Sequence, residues 1–225
     1  VIILQYLAAI KTPVSYAFVT NSGEEDAREL ERLAEPLRKM GRTVAVMVTD
    51  EQHAEGKDQV VANRNVLREY FLKGNWEYLF SLDSDCVGPT NALEVLRQHN
   101  KKLATGWYLA GFNYGGKERI LPLAYAFDKP GHARQLSIKD VLIPRFMPIA
   151  VAGLGCALIH RSILEQVSFT RNSGTEDAAF YTDARDKTGE KLWLDTRVAF
   201  WHLKFPPGDK RNNVLDPRRY QLKKK

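Results

Sequence analysis

Cysteine is nearly absent from this chain: 225 residues carry two, Cys86 and Cys156. Both sit among apolar neighbours, without the spacing of a zinc site or a disulfide framework. The sequence therefore predicts two buried free thiols, which suit a reducing compartment. Long apolar runs are missing too. No stretch reaches the length of a membrane-spanning helix, and the opening Val1-Ile2-Ile3-Leu4 is too short and lacks the basic flank of a secretory leader. Glycine-rich phosphate loops of the GxGxxG and GxxxxGK types are absent, so any nucleotide would have its phosphates held by other means. There is no internal repeat, no interdomain linker and no nucleic-acid-binding signature. The net charge is +6, much of it clustered in the tail at Arg218-Arg219 and Lys223-Lys225. That excess suits an anionic ligand or an acidic surface without choosing between them. The expectation is a cytoplasmic protein with no integral membrane segment, its basic tail leaving peripheral contact with a membrane open.

What is present is a globular composition, with 44% hydrophobic, 27% charged and 10% aromatic residues, enough for one full core. Val1 to Ala9 reads as a buried strand and Val14 to Thr20 as a second. About four residues join them, although a parallel crossover needs a dozen or more. Ser22 and Glu25 form a capping-box pattern ahead of Leu30, Leu33, Leu37 and Met40 at helical spacing, and Gly41 ends that helix. Thr43 to Val48 is another strand, Val60 to Leu72 a helix, and Glu77 to Leu82 a strand. This alternation predicts an α/β protein with a mostly parallel central sheet covered by helices. The second half is less regular. Phe112 to Lys117 reads as a loop or hairpin tip, and Val151 to Ile159 as a small-residue stretch that permits close approach of a ligand or a neighbouring strand. Thr175-Glu176-Asp177 reads as the start of a helix closed by Gly189. Two strands, Lys191–Leu194 and Arg197–Leu203, lead to His202.

The chain is organised around Tyr78-Leu79-Phe80-Ser81-Leu82-Asp83-Ser84-Asp85. A strand delivers two carboxylates, and alternation along an extended chain points Asp83 and Asp85 to one side at the strand's end. In open α/β sheets that end is where ligands bind. Two like charges so close call for a cation, and oxygen ligands select a hard divalent ion such as Mg²⁺ or Mn²⁺. Such an ion attracts phosphates.

The order of motifs resembles that of glycosyltransferases with the GT-A fold, of the broad family-2-like group that uses nucleotide-diphosphate sugars. Asn63-Arg64-Asn65 is similar to the helix preceding their metal motif, and Asp83-Ser84-Asp85 matches the DxD motif itself. Gly153 to Arg161 resembles the segment lining the acceptor side, and Thr175-Glu176-Asp177 matches the motif whose last Asp is the catalytic base in inverting members. His202 resembles the late His that completes metal coordination. The polymerising QxxRW motif is missing.

The resemblance implies a Rossmann-like GT-A fold with a smaller mixed acceptor-side sheet. Residues 1–88 would form the nucleotide-sugar-binding half, 89–205 the acceptor-binding half, and 206–225 a basic flexible tail or lid. It implies transfer of a sugar from a UDP- or GDP-sugar to a glycan, lipid or protein acceptor. Mn²⁺ or Mg²⁺ would sit at Asp83, Asp85 and His202, with Asp177 as base beside Glu176. Ala8, Asn21, Arg64, Asp83, Ser84 and Lys210 would contact the donor, with Gly153 and Gly155 on the acceptor side. Three alternatives stand. Asp83-Ser84-Asp85-Cys86-Val87 also satisfies the nucleophile motif of haloacid-dehalogenase-type phosphatases. A nucleotidyltransferase that makes sugar nucleotides would share the fold but should open with a glycine-rich loop. A non-catalytic module holding a nucleotide sugar or a glycan would need no base at Asp177.

Overall fold

The computed structural model describes residues 2–49, 53, 56–129, 131–171 and 174–220. The chain opens on a helix, α1 (Ile2–Ala9), not on the buried strand that its apolar run suggests. A short apolar run fits either state. Here Leu, Gln and Ala favour the helix, and Tyr6, Leu7 and Ile10 fall on one face, each about 5% exposed. The end of α1 is tied down by Tyr16, whose hydroxyl donates to Leu7 O (2.8 Å), and by Arg42, whose Nη2 donates to Ile10 O (3.0 Å). These bonds occupy carbonyls that a helix end leaves unpaired. With a helix first, the short join to β1 (Tyr16–Thr20) needs no crossover.

β1 and β2 (Val44–Val48) pair in parallel, Tyr16 opposite Val44 through Thr20 opposite Val48, with α2 (Glu24–Lys39) crossing between them. The Ser22–Glu25 capping box does not form. Gly23 stands at the N-cap with φ 93° and offers no side chain, while the Ser22 amide bonds Thr20 Oγ1 (3.1 Å). A positive φ is easy for glycine and strained for Ser, so the cap falls one residue late. Then come α3 (Gly56–Lys73) and β3 (Tyr78–Leu82).

The first half alternates as expected, but the main sheet is not mostly parallel. After β4 (Cys86–Val87) and α4 (Ala92–Gln98), β5 (Leu103–Tyr114) and β6 (Lys117–Pro122) form a hairpin that turns at Gly115 and Gly116, φ 60° and 80°. β7 (Ala124–Lys129) and β8 (His132–Gln135) form a second hairpin. Then follow α5 (Ile138–Leu142), β9 (Phe146–Ile149), β10 (Val151–Ala152), β11 (Cys156–His160), α6 (Arg161–Leu164), α7 (Glu176–Thr188) and β12 (Leu192–His202). The seven-stranded sheet runs β3-β11-β5-β12-β4, with β6 on β5 and β9 on β12. Only β5 and β12 are parallel in it, and its other pairings are antiparallel. The small sheet, β10-β7-β8, is antiparallel as well. Local alternation cannot report that β11 comes back beside β3, because that pairing joins segments over seventy residues apart.

The two strands expected before His202 are one strand, β12, whose pairing to β5 is irregular between Leu194 and Ala199. Asp195 turns inward there, wholly buried, bonded to His99 Nε2 (2.8 Å) and Arg197 Nη2 (2.6 Å). Period-2 alternation divides the core between the two faces of the sheet. Leu103, Trp107, Ala157 and Ile159 join one cluster; Ala104, Tyr108, Cys156 and Leu158 join the other. Both cysteines are buried free thiols, as expected. Among the described residues no helix is long and apolar enough to cross a membrane.

Residues 206–220 lie against β12 in two 3-10 turns, Lys210–Leu215 and Pro217–Tyr220. Trp201 Nε1 donates to Asn212 O (2.9 Å), and the buried Asn212 side chain bonds the Phe205 amide (2.9 Å). Lys223–Lys225 lie outside the described residues.

Candidate functional site

The site grows from the turn after β3. Cys86 N donates to Asp83 O (3.0 Å), which tightens the turn and starts β4. β4 pairs with the end of β12, Val87 opposite Trp201 and Cys86 opposite His202. The amide of Leu203 then donates to Asp85 O (2.6 Å). Backbone pairing thus carries His202 across to Asp85, 117 positions away, with Nε2 3.1 Å from Oδ2. His202 Nδ1 lies 3.2 Å from Leu109 O. A carbonyl and a carboxylate both only accept, so Nδ1 donates to Leu109 and Nε2 to Asp85, and the ring making both bonds is the imidazolium. Burial alone would lower the His202 pKa, but the bond to Asp85 outweighs it and the net shift is upward. For Asp85 burial acts upward, and His202 turns the balance downward.

Asp83 faces the other way. Its Oδ1 accepts from Arg64 Nη2 (2.9 Å), while Arg64 Nη1 donates to Ser81 Oγ (2.9 Å). Arg64 projects from α3 and is 9% exposed; its Nε is buried without a partner. Asp83, Asp85 and Cys86 bring ligand atoms within 4.8 Å of one another. Burial pushes the Cys86 thiol far above its usual range, with Asp83 adding to the effect, so the sulfur stays protonated. The donors suited to a hard divalent cation are therefore the carboxylate of Asp85, the remaining oxygen of Asp83 and, once deprotonated, Nε2 of His202. The Leu109 carbonyl orients the imidazole from behind, as metal-binding histidines generally require. These residues fit such an ion.

Asp177 enters from α7. Thr175 caps this helix, its Oγ1 accepting from Ala178 N (3.4 Å). Gly189 ends it at φ 71°, where only a residue tolerant of the left-handed region fits well. Asp177 Oδ1 accepts from Leu154 N (3.0 Å), so the small-residue segment before β11 grips the carboxylate. Burial pushes its pKa up to about 7, and Glu176 pushes the same way; Arg64 and the Leu154 bond act downward, while Asp83 adds a further upward push. The dipole at the start of α7 favours the ionised form and opposes the rise.

The two glycines of that segment make room for protein groups. A Cβ at Gly153 would stand 1.9 Å from Tyr108 Oη, and one at Gly155 would stand 2.6 Å from Asp83 Oδ2 and 3.2 Å from Cys86 Sγ. Gly155→Ala is therefore expected to displace Asp83 and to cost about 1–3 kcal/mol, the usual range for overpacking a filled site. Urea unfolding checks this, and an unchanged midpoint would refute the contact.

Arg64, Asp83, Asp85, Gly153, Gly155, Asp177 and His202 thus converge from five segments. Glu176 is partly buried beside Asp177, and Ser84 is exposed at the apex of the turn. Ala8, expected at the end of a strand, instead lies on α1 and packs against the core cluster around Tyr6 and Phe200. Asn21 opens the turn between β1 and α2, and Lys210 is exposed on the first 3-10 turn. Sequence reasoning passed over Tyr108. Its ring meets His202 edge-on (5.1 Å, 65°), and its buried hydroxyl is held protonated first by burial, then by Asp83 and Asp177. Trp107-Tyr108-Leu109 looks like any buried strand, so nothing local marks it. Ser81 did carry a signal, as a lone hydroxyl in an apolar strand two residues before Asp83.

No protein-family profile matches the sequence, and no curated protein does. The inositol-1-phosphate CTP transferase from T. maritima is similar in fold, with 98% of this chain aligned to 81% of that one at 11% identity and TM-score 0.52. The A197 protein from STIV aligns over 84% of this chain and 85% of its own at 15% identity, TM-score 0.49.

Proposed function

We propose that this protein transfers a glycosyl group from a nucleoside-diphosphate sugar to an acceptor hydroxyl, with Mn²⁺ or Mg²⁺ held at Asp85, His202 and Asp83. The observation that carries the reading is the pairing of Asp85 with His202, set beside a second acidic group, Asp177, across Arg64. When bound, the cation would neutralise charge on the departing diphosphate. Asp177 takes the proton from the acceptor hydroxyl as it attacks the anomeric carbon, which gives inversion. A carboxyl tuned to about 7 is matched to that task, since a general base works best near the ambient pH. The fold shared with a CTP-using transferase supports a nucleotide substrate.

The phosphatase reading has less support. The nucleophile of that class normally lies on the first strand of its core, whereas here β1, α2, β2 and α3 all precede Asp83. The nucleotidyltransferase reading wants a glycine-rich loop after the first strand, and the turn after β1 holds one glycine, Gly23.

The test is a thermal-shift and calorimetric screen of UDP, GDP, CDP and their sugars, with and without Mn²⁺, on wild type and Asp85→Ala. A ligand present at a hundred times its Kd stabilises the native state by about 2.7 kcal/mol. One diphosphate should raise the melting temperature only with metal, and Asp85→Ala should abolish the rise. Stabilisation by beryllofluoride with no response to any nucleotide would hand the site to the phosphatase.

A further inference from the structure

The base proposed above stands at the start of α7, and something must fix that helix relative to the acidic turn. Helix α3 does part of this through Arg64, which holds Asp83. Three of its other polar side chains, Arg68, Asn65 and Asp58, reach the segment that precedes α7, and they do so in order. Near the C-terminus of α3, Arg161 donates to the carbonyls of Phe71 (3.2 Å), Leu72 (3.3 Å), Gly74 (2.5 Å) and Trp76 (2.9 Å). One turn back, Arg68 Nε of α3 donates to Leu164 O (2.7 Å) and Val167 O (3.0 Å), the end of α6. Each helix is thus closed by an arginine from the other. Next, Asn65 makes a two-way bond to the backbone of Phe169, Nδ2 to its carbonyl (2.9 Å) and Oδ1 from its amide (3.0 Å). Last, Asp58 pairs with Arg171 (3.0 Å). Residues 161–171 are therefore laid antiparallel along α3 as a strap.

The strap reaches α7 through its side chains as well. The ring of Phe169 stacks on that of Phe180 (4.6 Å, 16°), and both are essentially buried. Phe180 lies one turn beyond Asp177 on α7. A continuous set of contacts therefore runs from the carboxamide of Asn65, through the backbone and ring of Phe169, to the helix that carries Asp177.

We infer that Asn65 is a positioning residue for Asp177, and that α3 sets the separation between the acidic turn and the base. The carboxamide suits this role. It is the side chain that pairs with both the N–H and the C=O of one residue, as a neighbouring strand would. Catalytically the assignment rests on the role proposed for Asp177, but the mechanical link can be read without it. Leu154 N–H donates to Asp177 Oδ1, so its hydrogen exchange reports whether that carboxylate is in place.

The experiment compares amide exchange by NMR in wild type, Asn65→Asp and Phe169→Leu. The first variant keeps the acceptor and sets an oxygen against the Phe169 carbonyl; the second keeps the backbone bonds and removes the stacked ring. In both, exchange at Leu154 should rise about tenfold or more beyond any change at Leu158 and Ala104, whose amides in the β11–β5 ladder report global opening. A rise at Leu154 no larger than at those two amides would overturn the link. For the reaction, kcat should fall roughly ten- to a hundredfold, the scale of a small misplacement of a reacting group, with nucleotide affinity unchanged. A kcat equal to wild type overturns the positioning role. Wild type that turns over no donor overturns the proposed reaction, and the exchange data still decide the link.

Discussion

Asp177→Asn should lose turnover by about a thousandfold, within the 10²–10⁴ range that a general base supplies, while binding nucleotide and metal as wild type does. Its carboxyl is held near 7 by burial and by Glu176, so kcat/KM of the wild type should climb with pH through about 7 and then level off. The same shift has an opposite consequence for stability. A carboxyl whose folded pKa lies above its unfolded value binds more protons when folded, so stability falls as pH rises from about 4 through about 7. Above that range the native protein holds an ion that burial disfavours. Asparagine keeps an oxygen for the Leu154 amide and removes the charge. Asp177→Asn should therefore be more stable than wild type at pH 8, by on the order of 1 kcal/mol once solvent screening and the α7 dipole are allowed for. At pH 5 the gain should vanish. Thermal unfolding at the two pH values, run beside turnover, checks both halves. A variant that is inactive yet no more stable at pH 8 would mean that Asp177 is not a strained, buried carboxylate. Full activity would remove it from the chemistry altogether.

How much of this was legible depends on how local each signal is. The acidic turn was legible only in part. The apolar strand and the break after it are local, but alternation put Asp83 and Asp85 on one side. The strand instead ends at Leu82, and the turn sends the two carboxylates to different partners, Arg64 and His202. The start and end of α7 were legible because their signals are local. Thr175 is a capping residue with its own hydroxyl, and Gly189 takes a left-handed φ. The β5–β6 turn announced itself through Gly115 and Gly116. Where the sequence misled, the deciding interaction was distant. α1 is a helix because Tyr6 on its buried face meets the ring of Phe200 and the carbonyl of Pro89, both far away in sequence. The sheet is mixed because β11 inserts antiparallel between β3 and β5 while β12 pairs in parallel with β5, a choice made between segments distant in sequence. Tyr108 was hidden by its own ordinariness. A tyrosine in an apolar strand is unremarkable until His202 packs on its ring and Gly153 leaves room for its hydroxyl. His202 itself was visible only because an acidic pair gave it something to do.

Arg64 should prove the residue on which the fold of the site most depends. It is a buried cation whose guanidinium would be lowered by burial and is instead held up by Asp83, Asp177 and Glu176 in that order. Arg64→Met keeps most of the volume and leaves three carboxylates facing one another without a counter-charge. Removing one partner of a buried pair costs about 3–5 kcal/mol, and the partial exposure of Asp83 places the expected loss toward the lower end. The loss should depend on pH in a definite direction. Without the guanidinium, which acts downward on Asp177, that carboxyl ionises less readily in the folded state, so its folded pKa rises further and the variant loses stability as pH increases. Urea midpoints for wild type and variant should lie far apart at pH 8 and closer at pH 5. Arg64→Lys, which keeps the charge but not the fork that spans Ser81 and Asp83, should fall between them. Combining Arg64→Met with Asp177→Asn should recover part of the loss, because neutralising one of the three facing carboxylates relieves the repulsion. A double-mutant cycle measures that coupling directly. Strict additivity of the two substitutions would show that Arg64 and Asp177 do not share an electrostatic site, and the two acidic halves would have to be treated as separate.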